Sequence, residues 1–315
     1  MTHSEIHKPK IGLALGSGSA RGWSHIGVIQ ALEKIGIVPD IIAGSSIGAL
    51  VGAAYASNQL DKFDDWARSL TWKEILKFID LTVTGGGFIQ GNKLFEFASK
   101  HIQDDAIESL AVQFGMVATE LDTGREIWFQ QGPILKPLRA SIALPGIFTP
   151  VKIDGRWLVD GGLSNPVPVS LCRAMGADIV IAVNLNGDIV GKHTRNQNNK
   201  KENTEINKIQ KENDLWQRVS TQFKNTLNER KDNLLTDLFG DNHDAPGLFN
   251  VLVGSINIMQ DRITRSRMAG DPPDIILSPQ LSELGLMELD QAATAIKEGK
   301  ACVQRMRPVL EKIIY

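Results

Sequence analysis

A chain of 315 residues, 42% of them hydrophobic, can bury most of its apolar surface, either in two domain units or in one large α/β domain with insertions. Its formal net charge of −2 provides no global field for nucleic acid. Cys172 and Cys302 stand alone, with no paired spacing, so they read as thiols in a reducing compartment and not as a disulfide framework or zinc site. The polar start, Met1 to Lys10, has no signal-peptide core, and no run of 18 apolar residues occurs. A soluble cytoplasmic protein is expected, with peripheral membrane contact left open.

Lys10 to Leu15 is a short apolar strand that runs into Gly16-Ser17-Gly18-Ser19-Ala20-Arg21-Gly22. A helix follows from about Trp23 to Ile35, with Trp23, Ile26, Ile29, Leu32 and Ile35 on its buried face and Gly36 at its end. A glycine-rich turn between strand and helix suits anionic oxygen, and three classes use one. A phosphate-binding P-loop needs Gly-Lys-Ser/Thr, but Gly22 is followed by Trp23. A dinucleotide fold wants its third glycine one place earlier, and the nearby acid, Asp40, precedes the second strand and so lies at the wrong end for a ribose. An oxyanion hole needs only backbone N–H groups, here those of Gly18 and Ser19.

The next strand enters Gly44-Ser45-Ser46-Ile47-Gly48, and a helix of small and apolar residues starts at once. This is the layout of a nucleophile elbow, in which a tight strand-to-helix turn presents a strained, exposed serine. Gly44 and Gly48 relieve crowding in such a turn, and the helix start behind Ser46 favours a forming anion. In a parallel sheet, loops 16–22 and 44–48 would share the carboxyl edge. One brings a hydroxyl and the other brings donors, which is what acyl transfer requires.

Residues 58–112 read as mainly helical, with amphipathic pieces at Leu60–Leu70 and Lys93–His101 broken by the loop-forming Gly85-Gly86-Gly87. Phe114–Ala118 and Glu126–Phe129 read as strands joined through Asp122-Thr123-Gly124, and Leu135–Ala143 as a helix stopped by Pro145-Gly146. A strand then ends in Asp160-Gly161-Gly162, followed by Asn165-Pro166-Val167-Pro168. An aspartate there reads first as an ordinary turn residue bonding its own backbone; the functional alternative is a carboxylate held at a strand end, with glycines letting a second loop come close. Val169–Met175 is a helix and Ile179–Val183 a buried strand.

Residues 186–214 are rich in Asn, Lys and Glu and read as a solvated insertion. Leu215, Val219, Phe223 and Leu227 make one face of an amphipathic helix, either packed on the body or acting as a lid or membrane contact. Phe249–Met259 reads as a buried helix followed by Arg262, Arg265 and Arg267. Ile275–Leu277 is a last strand and Asp290–Ile313 a closing helix.

A serine nucleophile needs a base. His193 and His243 follow Asp160 but sit in polar sequence, and His25 lies in the first helix, where loop support suits it better. That leaves Asp160 acting directly, provided it is desolvated or held close to Ser46. No spacing of ligands suggests a metal.

Together these segments resemble the patatin-like phospholipase family. The resemblance is nearest to its small bacterial members of the RssA type, related to the catalytic domain of neuropathy target esterase. The residues that carry it are Leu15–Val28, Gly44–Gly48 and Asp160-Gly161-Gly162 with Asn165–Pro168. It covers residues 10–185 well, is weak over 190–245 and returns towards the C-terminus. The resemblance implies a three-layer α/β/α fold with a mainly parallel sheet, Ser46 and Asp160 as a catalytic dyad without histidine, and no cofactor. It also implies an oxyanion hole in the loop of Gly16, Ser17, Gly18, Ser19, Arg21 and Gly22. Family loops are often all-glycine, and Ser17 and Ser19 depart from that; Arg21 matches a basic position and reads as an anchor of the loop. The expected substrate is a lipid or other acyl ester. Residues 1–9 are expected to be flexible and 10–315 to form one domain, with a polar, partly helical insertion at about 187–245. A regulatory or scaffold protein that keeps the fold with little catalysis is the alternative.

Overall fold

The structure is a computed structural model that describes residues 8–71, 87–89, 95, 102, 104–187 and 248–314. The expected pieces at Lys93–His101 and 215–227, the insertion beyond 187, and both His193 and His243 lie outside the described residues.

Among the described residues, five parallel strands form the backbone of an eight-stranded sheet: β1 (Ile11–Leu15), β2 (Ile41–Ser45), β4 (Gln113–Glu120), β9 (Ile179–Val183) and β10 (Ile275–Leu277), in the order β10-β9-β1-β2-β4. Three antiparallel strands extend it: β5 (Glu126–Phe129), β7 (Val151–Ile153) and β8 (Arg156–Asp160). β3 (Gly87–Ile89) and β6 (Gly146–Phe148) pair separately as a parallel ribbon. Gly87 therefore begins a strand and is not part of a glycine loop. A glycine at that point ends one pattern without showing that a strand starts from it.

The parallel strands are apolar on both sides because both faces are covered. Along β1, Leu13 and Leu15 join one core cluster while Ala14 joins the other. The first face carries α1 (Ser24–Lys34), α2 (Ile47–Ala56), α3 (Leu60–Ser69) and α7 (Ala292–Ile314). The second carries α5 (Val169–Ala174), with Leu171, Cys172 and Met175 buried, and Met268 packs at its edge. α4 (Leu135–Ser141) packs with β4 and β8. The chain is thus a three-layer α/β/α structure with a mostly parallel sheet. In α3 the buried residues Leu60, Phe63, Trp66 and Ala67 recur at helical spacing, and Trp23, Phe63 and Trp66 stack with ring centroids 5.0 to 5.8 Å apart.

Two further expectations are corrected. Residues 104–112 are not helical beyond a single short turn at Ile107–Ser109. The helix expected over Phe249–Met259 runs from Leu248 to Gly270 as α6 and is not buried all round. Ile256, Gln260, Asp261 and Thr264 face inward, whereas Val251, Ile258 and Met259 are about half exposed. Apolar density along a sequence does not say whether one face or two are covered.

The register of β4 brings distant segments together. β5 occupies one edge of β4 across Met116–Thr119. On the other edge β2 runs alongside as far as the Ser45–Val117 pair, and β8 takes over from the Asp160–Ala118 pair. Consecutive rungs of one strand therefore carry the residue before Ser46 and Asp160 itself.

Candidate active site

Ser46 joins β2 to α2 with φ 56° and ψ −126°. That backbone region is costly for any residue with a Cβ, by about 1–3 kcal/mol, and persists only where neighbours enforce it. They do so here. The Ser46 carbonyl accepts the first amides of α2, from Ala49 at 2.9 Å and Leu50 at 3.2 Å, and its own amide donates to Ser141 Oγ at 3.1 Å. A Cβ on Gly48 would lie 2.1 Å from the Leu15 carbonyl oxygen, so only glycine lets the helix start lie on β1. Gly44 and Gly48 serve this close approach and do not themselves take the left-handed conformation; Ser46 does.

Asp160 ends β8 fully buried. Its amide donates to the Ala143 carbonyl at 3.0 Å, and its carbonyl accepts from Thr119 Oγ1 at 2.8 Å. Oδ1 accepts the Gly162 amide at 2.7 Å, and Oδ2 accepts the Ser46 hydroxyl at 2.5 Å. Gly161 lies so close to β4 that a Cβ would sit 2.3 Å from the Val117 carbonyl oxygen. Burial pushes the carboxyl up to about 7, against the two hydrogen bonds that would lower it.

Loop 16–22 closes the third side. The Gly16 amide donates to the Val183 carbonyl at 3.1 Å and the Ser17 amide to the Pro166 carbonyl at 2.8 Å, so both are spent on holding the loop. The Gly18 and Ser19 amides have no acceptor among the described residues. Ser19 adopts φ 51°, and its hydroxyl donates to the Leu286 carbonyl at 2.6 Å. Arg21, almost fully buried, donates from Nε to the Gly18 carbonyl at 3.3 Å and from Nη2 to Asn257 Oδ1 at 3.3 Å. Gly22 lets the loop rest on Ile47, beside the Ser46 turn. His25, the only histidine among the described residues, lies 2.8 Å from the Gly16 carbonyl through Nε2. Burial lowers its pKa to about 4, so near neutral pH it is an uncharged support of this loop. Asp40 accepts the Ile11 amide at 2.9 Å at the opposite end of the sheet, which removes the acid that a dinucleotide site would need.

Ser17, Gly18, Ser19 and Ser46 all line one cavity, part of it open to solvent. Its walls are Trp23, Leu50, Trp66, Phe148, Ile256 and Leu286 with other apolar side chains and the amides of Asn257 and Gln260, and among the described residues no acidic or basic side chain lines it. A long hydrocarbon fits such walls, with its polar end at Ser46. Sequence reasoning missed Ser141, Thr119, Asn257 and Gln260, none of which belongs to a local motif, and each contact spans 41 or more positions.

Residues 13–173, just over half of the chain, match the patatin-like phospholipase family. An NTE family protein of Mycobacterium tuberculosis is 34% identical over 93% of this chain and 90% of its own length. The chain belongs to the patatin-like phospholipase family. Two longer relatives match over a smaller part. The human patatin-like phospholipase domain-containing protein 6 is 35% identical over 56% of this chain and 13% of its own length. The lysophospholipase nte1 of Emericella nidulans is 33% identical over 56% of this chain and 12% of its own. Within this patatin-like chain, the matched region includes loop 16–22, the Ser46 turn and Asp160.

Proposed function

We propose that this chain is a lipid acyl hydrolase that cleaves carboxylic esters with a Ser46–Asp160 dyad and no histidine. The observation that carries the reading is the 2.5 Å contact between the buried Asp160 carboxylate and the hydroxyl of Ser46, which lines a cavity whose described walls are mainly apolar and without charge. Fatty-acyl esters of phospholipids or lysophospholipids are the substrates that suit these walls, and the fungal relative named a lysophospholipase supports that class.

Ser46 Oγ attacks the ester carbonyl as its proton passes to Asp160 Oδ2. A carboxyl held near 7 is a better base for a hydroxyl than an ordinary one. The Gly18 and Ser19 amides stabilise the tetrahedral oxyanion. As the intermediate collapses, the alcohol leaves with the proton from Asp160 and the acyl group stays on Ser46. Water then loses a proton to Asp160 and attacks the acyl-enzyme, and as the second intermediate collapses Asp160 returns that proton to Ser46 Oγ and the fatty acid is released.

No described helix is long and apolar enough to cross a membrane. The exposed Val251, Ile258 and Met259 on the helix that lines the cavity support contact with a lipid surface, which vesicle co-sedimentation tests.

The deciding measurement pairs hydrolysis of a p-nitrophenyl acyl ester with fluorophosphonate labelling. Parent protein is expected to turn over and to be labelled at Ser46, while Ser46→Ala does neither and stays folded. An unlabelled, inactive parent would leave the scaffold alternative standing. Asp160→Asn is expected to retain little activity; parental rates there would move the base to His193 or His243.

A further inference from the structure

We infer that Gln260 is a positioning residue, which through Ser17 holds the Gly18 and Ser19 amides on the carbonyl bound at Ser46; the inference rests on the esterase reading above. The problem it solves is conformational. Gly18 has φ 165° and no side chain, so the peptide planes on either side of it rotate cheaply unless something outside the loop fixes them. A donor that wanders stabilises an oxyanion poorly.

Contacts on both sides restrain those planes. On the far side, the Ser19 hydroxyl and the Ala20 amide both reach the Leu286 carbonyl. The Gly18 carbonyl is held by Arg21. On the near side, the Ser17 amide is tied to Pro166, and its hydroxyl donates to Gln260 Oε1 at 3.2 Å across 243 positions of sequence. Gln260 Oε1 also accepts from Asn186 Nδ2 at 3.3 Å. Ser17, Asn186 and Gln260 are 1%, 1% and 4% exposed. Three polar side chains buried beside an apolar cavity are costly unless they satisfy one another, at about 1–3 kcal/mol for each one left unpaired. Placing them there makes sense if the connection itself has work to do.

Its position says what that work is. A Cβ built on Gly162 would fall 2.5 Å from Gln260 Nε2, 2.9 Å from Ser17 Oγ and 2.9 Å from Asp160 Oδ1. The glutamine amide, the donor loop and the carboxylate thus converge on one glycine. Gln260 spaces the donors against the base, and it does so from α6, one helical turn beyond the Asn257 that holds Arg21.

The test uses the full chain, the p-nitrophenyl ester and a long-chain alkyl trifluoromethyl ketone, whose adduct with Ser46 mimics the oxyanion. All rates are normalised to fluorophosphonate-titrated sites, so misfolded protein is not counted. Losing a whole oxyanion donor costs about 10²–10³ in kcat, so a loosened one in Ser17→Ala or Gln260→Met should cost about tenfold, with KM within about twofold. The inhibition constant of the ketone should weaken by the same factor. Both variants break the Ser17–Gln260 contact, and Gln260→Met also leaves Asn186 without its acceptor, so the double variant should be no worse than the poorer single one. Ser17→Ala removes a single atom and carries the test alone if Gln260→Met does not fold. Unchanged kcat per site, losses that multiply in the double variant, or a fall in kcat without weaker ketone binding would each overturn the inference. An unlabelled parent sinks the esterase reading and this inference with it, whereas a labelled parent with unchanged variants sinks the tether alone.

Discussion

The turns that present Ser46 and Asp160 meet within 2.5 Å, yet each is held out of its relaxed state by a different means. At Ser46 the cost is conformational: φ 56° and ψ −126° in a residue with a Cβ, clamped between β2 and the first turn of α2. At Asp160 the backbone is ordinary, with φ −47° and ψ 134°, and the cost is electrostatic. A carboxyl with no exposure, whose own hydrogen bonds do not offset burial, is driven from 3.8 up to about 7. One turn stores strain in geometry and the other in desolvation. The two respond to different perturbations, since pH acts on the second and leaves the first untouched.

The largest consequence concerns turnover. If Asp160 must be ionised to take the Ser46 proton, kcat/KM falls about tenfold for each pH unit below its pKa. With that pKa near 7, hydrolysis at pH 5 should be about a hundredfold slower than the plateau reached above pH 8. A profile flat from pH 5 to 8 would mean that desolvation is not tuning this site. Next in size is the packing that enforces the serine turn. Gly48→Ala puts a methyl group 2.1 Å from the Leu15 carbonyl, a backbone atom that cannot swing away. Overpacking typically costs about 1–3 kcal/mol, and here the upper end or more is expected, read as a lowered midpoint of urea unfolding together with lost fluorophosphonate labelling.

The two turns also differ in how openly the sequence announces them. The serine turn is local: an apolar strand, Gly-x-Ser-x-Gly and an apolar helix lie within a dozen residues, so its elements and their parallel pairing were readable directly. The aspartate turn depends on non-local pairing. Asp160-Gly161-Gly162 reads first as an ordinary turn, because its functional neighbour is chosen by the register of the distant β4. The β7–β8 hairpin is announced locally by Asp154-Gly155, both at positive φ, but that turn says nothing of which strand β8 will join. The half-exposed α6 was misread for the same reason, since its inward face is set by loop 16–22 and the Asn184–Gly187 region, not by its own composition. Gln260 and Ser141 carry no motif at all. Their contacts with Ser17 and Ser46 appear only once strands fixed by long-range pairing are in place.

A smaller effect isolates the electrostatic turn. A carboxyl whose pKa is higher folded than unfolded holds its proton more tightly in the folded state, so the parent loses stability as pH rises from 3.8 through about 7. Asp160→Asn removes that ionisation and can still accept from Gly162 and bond Ser46. Between pH 5 and pH 8 its stability relative to the parent should therefore rise by something of the order of 2 kcal/mol, even as activity is lost. Parallel stability curves for the two proteins across that range would show that burial of the charge costs nothing.

The smallest effect isolates the conformational turn. Ser46→Ala and Ser46→Gly both delete the hydroxyl, so both should be inactive and should leave Asp160 equally without its donor. They differ in the Cβ. At an ordinary surface position glycine is the less stable of the two by about 0.5–1 kcal/mol, because its unfolded chain has more freedom to lose. At φ 56° and ψ −126° the order should invert, since glycine alone sheds a strain of about 1–3 kcal/mol. The glycine variant should then unfold at the higher urea concentration, by roughly 1 kcal/mol, with the same gap at pH 5 and pH 8. A gap that changed with pH would mean that the strain and the buried charge are coupled, and that the two turns are not independently stressed after all.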